Sequence, residues 1–233
     1  VYDAFDKMAH ASGPGSIDVK IKLLCSLLND ATPKEAKYIL RMALGKLRLG
    51  VADMTILDSL AIAYAGGKEA REDLERAYNL SSDLGHVART VAHEGVEGVR
   101  GFRGTVGKPI RPMLAERLSS AAEILEKLGG KGSAEYKYDG LRLQAHISTN
   151  EISLFSRRLE NVTSQFPDAA QLIGKSTKVK DTIIEGECVA LDPDTGDMQP
   201  FQMISQRRGR KYEIEKMAEE IPVGVFLFDL LYA

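Results

Sequence analysis

The hydrophobic pattern divides the chain into two stretches with different periods. From Ser16 to about Val99 the apolar residues recur at helical spacing. Ile17, Ile21, Leu24 and Leu28 fall at i, i+4, i+7 and i+11, which predicts one apolar helix face. A second helix is announced by Thr32 as cap, Pro33 at the first helical position and Glu35 three residues after the cap, with Ile39, Met42, Ala43 and Leu47 as its expected stripe. Asp53 or Thr55 opens a third through Ile56, Leu60 and Tyr64, closed by Gly66 and Gly67. Two more are expected around 68–78 and 84–92. The segment from Gly98 to Pro112 is rich in glycine, proline and basic residues and reads as a linker, followed by a short helix over 115–128.

Beyond it the period becomes two. Leu141, Leu143, Ala145 and Ile147 alternate with Arg142, Gln144 and His146. Runs at 152–155, 182–191 and 223–231 are also strand-like, with the turn residues Asp192 to Gly196 between the last two. These elements predict a multidomain chain: an all-α part over 1–98, a linker over 99–112, and an α+β, mostly antiparallel domain over 113–233.

Composition narrows the class. With 44% hydrophobic and 27% charged residues, the chain is that of an ordinary globular protein. It has no apolar run long enough to span a bilayer and no signal segment, so no membrane role is expected. Cys25 and Cys188 lie far apart in apolar patterns without metal-ligand spacing, and both are expected as reduced core residues of an intracellular protein. The net charge of -2 does not advertise a nucleic-acid partner, although a whole-chain sum hides local patches. The chain starts at Val1, and its final apolar run has no closing turn, so a cut at both ends is expected, the second inside a domain.

The sharpest chemical signal is Glu135-Tyr136-Lys137-Tyr138-Asp139-Gly140-Leu141-Arg142. Taken alone, Asp139-Gly140 reads as a tight hairpin turn between two strands, with Lys137 an exposed turn lysine. Three further segments change that: Phe155 to Thr163 (FSRRLENVT), Ile184-Glu185-Gly186-Glu187, and Phe226 to Tyr232 (FLFDLLY). In this order and spacing they resemble the successive motifs of the covalent nucleotidyltransferases, which comprise DNA ligases, RNA ligases and capping enzymes. Gly107 to Ala115 (GKPIRPMLA) resembles the lead into the adenylation domain of archaeal and eukaryotic replicative-type ATP-dependent DNA ligases. In the helical part, Arg41, Gly45 to Gly50 and Ser12 to Ser16 resemble the later part of their DNA-binding domain, and Phe201 to Arg208 looks archaeal.

The resemblance implies that Lys137 is the nucleophile that attacks the α-phosphate of ATP and becomes a lysyl-AMP. An amine nucleophile must be neutral when it attacks, which desolvation or nearby cations favour, and the charge on the phosphate calls for cations and Mg²⁺. It implies that Glu135, beside the lysine on one strand, accepts from the adenine amino group. Arg142 and Glu187 would contact ribose hydroxyls, Arg157 would neutralise phosphate with Arg158 less defined, and Phe228 would stack on adenine. Phe226 shares the strand face of Phe228. Glu187 is also a candidate metal ligand.

For the helical part it implies sequence-independent contacts to duplex DNA through Ser12, Gly13, Gly15, Ser16, Lys20, Lys46 and Arg48. The charge count lends no support, since 1–98 holds about as many acids as bases. The family's activity is nick sealing through lysyl-AMP and DNA-adenylate in replication, repair and recombination, with nicked double-stranded DNA as partner. In an archaeon such an enzyme is cytoplasmic. The resemblance leaves room for a sliding clamp engaged through regions outside these residues, and for NAD or ADP use. Alternatives are an RNA ligase or capping-type enzyme, or a non-catalytic DNA-binding fragment. The family's later metal-holding acidic strand, lysine-rich strand and OB-fold domain have no counterpart here, so the adenylation domain is expected to be truncated and these 233 residues to seal no nicks unaided.

Overall fold

The computed structural model describes residues 1–210 and 212–233. Its backbone separates into two compact units, 1–56 and 57–233, so the boundary expected at 98 lies inside the second.

The first unit is helical: α1 (Tyr2–His10), α2 (Ser16–Asp30), α3 (Pro33–Ala43) and the first turn of α4 (Asp53–Tyr64). The start of α3 is the capping box expected from its sequence. Glu35 N–H donates to Thr32 Oγ1 at 3.4 Å, and Thr32 N–H donates to the Glu35 carboxylate at 2.9 Å. The expected stripes are less well buried than their periodicity implied. Ile17 and Ile21 are exposed, Leu24 and Leu28 half-buried, and of the second stripe only Ile39 is buried. Cys25 is exposed too, contrary to the expectation of a core thiol. Three helices of 9 to 15 residues offer too few faces to cover one another.

The second unit opens with the rest of α4, whose buried residues are Leu57 and Ala61 rather than the predicted Ile56, Leu60 and Tyr64. Next come α5 (Arg71–Ser81) and α6 (Leu84–Arg100), which pack on each other. The predicted end of α6 at residue 92 falls short. The helix kinks at Gly95 (φ 67°, ψ -162°), a conformation open to glycine, and then resumes to Arg100. The supposed linker is built into the unit: Val99 and Ile110 are buried, Arg111 N–H donates to Asn79 O, and Ser82 Oγ donates to Pro109 O. The helix expected over 115–128 is only α7 (Ala121–Lys127), and it is wholly exposed.

Four antiparallel strands follow the predicted runs closely: β1 (Leu141–Ile147), β2 (Ile152–Ser156), β3 (Thr182–Ala190) and β4 (Val223–Tyr232), in the order β2-β1-β3-β4. Leu143, Ala145, Leu154, Ile184 and Cys188 share one face. There they pack with Phe166, with Ala169 and Ile173 of α8 (Pro167–Ser176), Ile204 of α9 (Phe201–Ser205) and Met217 of α10 (Ile214–Glu220). Burial pushes the Cys188 thiol up to about 12, which leaves it an inert core group. By register the opposite face carries Arg142, Gln144 and His146 of β1, Phe155 of β2, and Glu185 and Glu187 of β3. No strand precedes Asp139-Gly140. The hairpin alternative therefore fails, and Glu135 and Lys137 lie on a loop rather than a strand.

Arg207 anchors the apolar side. Its guanidinium is 1% exposed, donates to both oxygens of Asp168 at 2.8 and 2.5 Å and to the carbonyls of Ile221 and Gln165, and lies 4.8 Å from the Phe166 ring centroid. A buried cation stripped of its counter-charge is strongly destabilising. Asp168→Ala is expected to lower unfolding free energy by about 3–5 kcal/mol, read from urea midpoints. A loss near zero would mean that the carbonyls alone satisfy Arg207.

Candidate functional site

The loop that carries Lys137 is fixed from both sides. Asp139 accepts from Phe201 N–H at 3.0 Å, which ties the loop to the start of α9. Gly140 N–H donates to the Glu187 carboxylate on β3. A Cβ at Gly140 would lie 2.3 Å from the Cys188 carbonyl, so only glycine lets the loop approach the strand this closely. Tyr138 stacks on Phe226 of β4, centroids 4.3 Å apart and rings 19° from parallel. Lys137 is thus exposed immediately before a run of three anchored residues.

Beside it opens a cleft of about 560 Å³ lined by Lys137, Gly140, Arg142, Ser156, Arg157, Arg158, Glu187, Phe201 and Arg208, with Met113 to Ala115 along its rim. The strands explain this assembly. Arg142 and Glu187 are paired across β1 and β3, and the arginine pair follows the end of β2. Burial raises the proton affinity of Glu187, opposed by the charges of Lys137 and Arg142. The lining holds five basic side chains and one carboxylate, although Arg142 also pairs with Glu185 and Arg208 with Glu160. Lys137 also borders a second hollow of about 480 Å³ formed with Tyr136, Tyr138, Asp139, Val189, Met198, Gln199 and Pro200.

Of the expected nucleotide-site residues, Lys137, Arg142, Arg157 and Glu187 come together in the cleft. Phe228 does not line it, yet Arg142 lies over its ring at 5.5 Å. A register shift in β4 places Leu227 opposite Gly186 and Asp229 opposite Glu185, so Phe228 is the extra residue of a bulge and stays 43% exposed. Phe226 is already occupied by Tyr138. Glu135 is exposed on the loop and lies outside the cleft. Arg142 pairs with Glu185, a residue without an assigned role in the sequence. Sequence reasoning also missed Arg208 and the anchoring roles of Tyr138 and Asp139. The QRR run was visible, but its proximity to Lys137 is a product of the fold.

In the first unit, Gly13 (φ 82°) and Gly15 (φ 81°) shape the turn before α2, with Ser12 and Ser16 beside them and Lys20 one turn further along. Lys46 and Arg48 lie on the exposed loop after α3.

Comparison with known proteins decides the family. Residues 112–233 match the ATP dependent DNA ligase domain, and residues 1–61 match the DNA ligase N terminus.

The chain belongs to the ATP-dependent DNA ligase family.

DNA ligase 2 of Thermofilum pendens is 56% identical over 232 residues, covering all of this chain and 38% of that protein. The DNA ligases of Staphylothermus marinus and Aeropyrum pernix are each 53% identical over the same span, which is 39% and 38% of their lengths. This ligase-family chain thus spans well under half of the curated relatives it matches. Among solved structures, mycobacterial DNA ligase D complexed with ATP and MES aligns over 42% of this chain and 28% of its own, at 28% identity and a TM-score of 0.31. Among the described residues no helix is long and apolar enough to cross a membrane, and no cluster of three or more metal-binding side chains occurs.

On the polar sheet face, burial lowers the His146 pKa to about 4 from an ordinary 6.5. Between these values the unfolded chain binds a proton that the folded chain refuses. The stability contributed by neutral His146 is therefore complete above 6.5 and lost as pH falls toward 4, by up to about 1.4 kcal/mol per pH unit. Glu187 acts in the opposite sense, because its raised proton affinity makes protonation on acidification favour the fold. Replacing the imidazole by His146→Phe should flatten the decline in denaturant midpoint between pH 7 and 4. Parallel curves for variant and parent would show that His146 titrates normally in the fold.

Proposed function

We propose that this chain carries the nucleotide-charging centre of an enzyme that seals nicks in duplex DNA. The observation that carries the reading is the cleft in which Lys137 stands beside Arg142, Arg157, Arg158 and Arg208, in a chain whose relatives are DNA ligases. Lys137 Nζ attacks the α-phosphorus of ATP, the N–P bond forms as the P–O bond to the β-phosphate breaks, and pyrophosphate leaves with the electron pair. AMP then passes to the 5′-phosphate at a nick. The 3′-hydroxyl attacks that phosphate and releases AMP. Each step concentrates negative charge on phosphoryl oxygens, and fixed guanidinium groups stabilise it without reorganising at the moment of reaction.

Phe228 offers an open aromatic face for adenine, capped by the Arg142 guanidinium. Arg142 and Glu187 would contact the ribose, Arg157 would meet the phosphates, and Glu135 would reach the base if its loop folds over the nucleotide. Mg²⁺ binds proteins through one or two carboxylates plus substrate phosphates. Glu187 suits that pattern and would hold the ion, whose charge would neutralise the phosphates. The turn before α2 and the loop with Lys46 and Arg48 supply amides, hydroxyls and charges for the DNA backbone. The fitting context is intracellular, in DNA replication, repair and recombination. A sliding clamp, if used, is engaged elsewhere in the protein.

Two measurements test this. With the chain substituted for the matching residues of one of the archaeal relatives, ATP labelled at the α-phosphate should label Lys137, and Lys137→Ala should abolish labelling. The exposed position limits the accompanying change in stability to about 0.5 kcal/mol. Label retained in the variant would dismiss Lys137 as nucleophile. In the same background Phe228→Ala should weaken ATP binding by roughly 1–3 kcal/mol, the worth of a base–aromatic stack. Melting with and without ATP separates that from lost packing: a lower melting temperature with an unchanged ATP-induced shift would make Phe228 a packing residue.

A further inference from the structure

A strand in this sheet is buried on both faces, yet one face is polar. Gln144 is 4% exposed, His146 1% and Glu185 3%. The segment around 105–111 covers them, and the hydrogen bonds across that contact have a fixed direction. Gly107 N–H can only donate, so His146 Nδ1, at 2.9 Å, is the acceptor. His146 Nε2 then carries the proton and donates to Gln144 Oε1 at 2.8 Å. Gln144 Oε1 also accepts from Ile110 N–H at 2.7 Å. Its amide nitrogen donates to Ile110 O and to Glu185 Oε1, both at 3.0 Å. The other Glu185 oxygen takes Arg142 Nη2, and Arg142 lies over Phe228. Both lone pairs and both protons of the Gln144 amide are thereby used.

We propose that Gln144 is a positioning residue: its amide sets the rotamer of Glu185 and, through it, the placement of Arg142 in the cleft. The proposal rests on reading Arg142 and Phe228 as nucleotide-binding groups. The arrangement has no slack. A carboxylate held by one donor alone could turn about its side-chain torsions, whereas Glu185 is held through both oxygens by partners on one neighbouring strand. Gln144 is held in turn by the backbone of Ile110, an acceptor and a donor that fix which way its amide faces. The same segment is tied to α5 through Arg111 N–H to Asn79 O at 2.8 Å and Ser82 Oγ to Pro109 O at 2.6 Å. The placement of Arg142 therefore depends on how that segment sits between α5 and β1.

The test begins on the 233-residue chain itself. In ¹⁵N NMR, Arg142 side-chain N–H signals should show restricted guanidinium rotation, and Gln144→Leu should release it, giving faster exchange. His146→Phe, which keeps a ring beside Phe155 and removes both the donor to Gln144 and the acceptor from Gly107 N–H, should give a smaller change in the same direction; it carries the test if Gln144→Leu does not fold. In the ligase chimera, Gln144→Leu should raise the ATP concentration for half-maximal lysine labelling roughly 10-fold, the scale of a hydrogen bond to a charged group. That rise should nearly vanish in an Arg142→Lys background. Unchanged Arg142 signals in folded variants, or an equal rise with Arg142→Lys, would overturn the proposal. If the signals change but wild-type Lys137 takes no label, the positioning holds and the nucleotide reading falls.

Discussion

The second unit depends on satisfying the polar face of β1 with the chain's own groups. A strand that alternates Leu141, Leu143, Ala145 and Ile147 with Arg142, Gln144 and His146 would ordinarily turn the second set to solvent. Here Gln144 and His146 are buried as well, and an unpaired buried amide or imidazole costs about 1–3 kcal/mol. The cost is avoided because the segment before the sheet supplies backbone groups at the required positions: Gly107 N–H, Ile110 N–H and Ile110 O. The apparent linker is therefore a third layer. Its glycines and prolines are what let an irregular backbone present donors and acceptors sideways to a strand.

The loop that carries Lys137 follows a related logic. In the proposed reaction Lys137 has to be exposed to meet a phosphate, and an exposed lysine on a free loop has no defined position. The neighbours resolve the conflict. Tyr138 is stacked, Asp139 is bonded to the start of α9, and Gly140 touches β3 so closely that no side chain fits. Order comes from the three residues that follow Lys137, and its own side chain stays exposed.

Much of this was legible in the sequence, unevenly. The four strands came from alternation and the α3 start from its capping box, because both are local rules written in consecutive residues. The helical stripes misled, since periodicity reports which face is apolar and not whether anything covers it: Ile17 and Ile21 lie exposed, and α4 buries Leu57 and Ala61 instead of Ile56 and Tyr64. The motif residues Lys137, Arg142, Arg157 and Glu187 converge as their order suggested. Glu135 does not line the cleft, and the strand expected beneath it is absent. Phe228 is preferred to Phe226 because it precedes Asp229 as in the resembled motif, whereas the bulge in β4 and the stacking of Tyr138 on Phe226 have no local sequence signal. Gln144 and His146 looked like the solvent side of a strand, and nothing in the alternation itself could show that a distant segment folds over them.

Charge shows the same gap between sum and arrangement. The chain is net negative, yet Lys137, Arg142, Arg157, Arg158 and Arg208 surround one cleft with Glu187 among them. Burial already raises the proton affinity of Glu187, and Lys137 and Arg142 oppose that rise. In the proposed reaction Lys137 becomes a phosphoramidate and loses its positive charge, while a phosphate with its own negative charge arrives beside Glu187. One of the two cations that oppose this rise is consumed by the first step. Of those two cations Arg142 remains, and Arg142 is itself shared with Glu185. The demand for cationic charge in the cleft is therefore greater after charging than before it. On that proposal, the three further arginines that line the cleft stand where they would meet the demand.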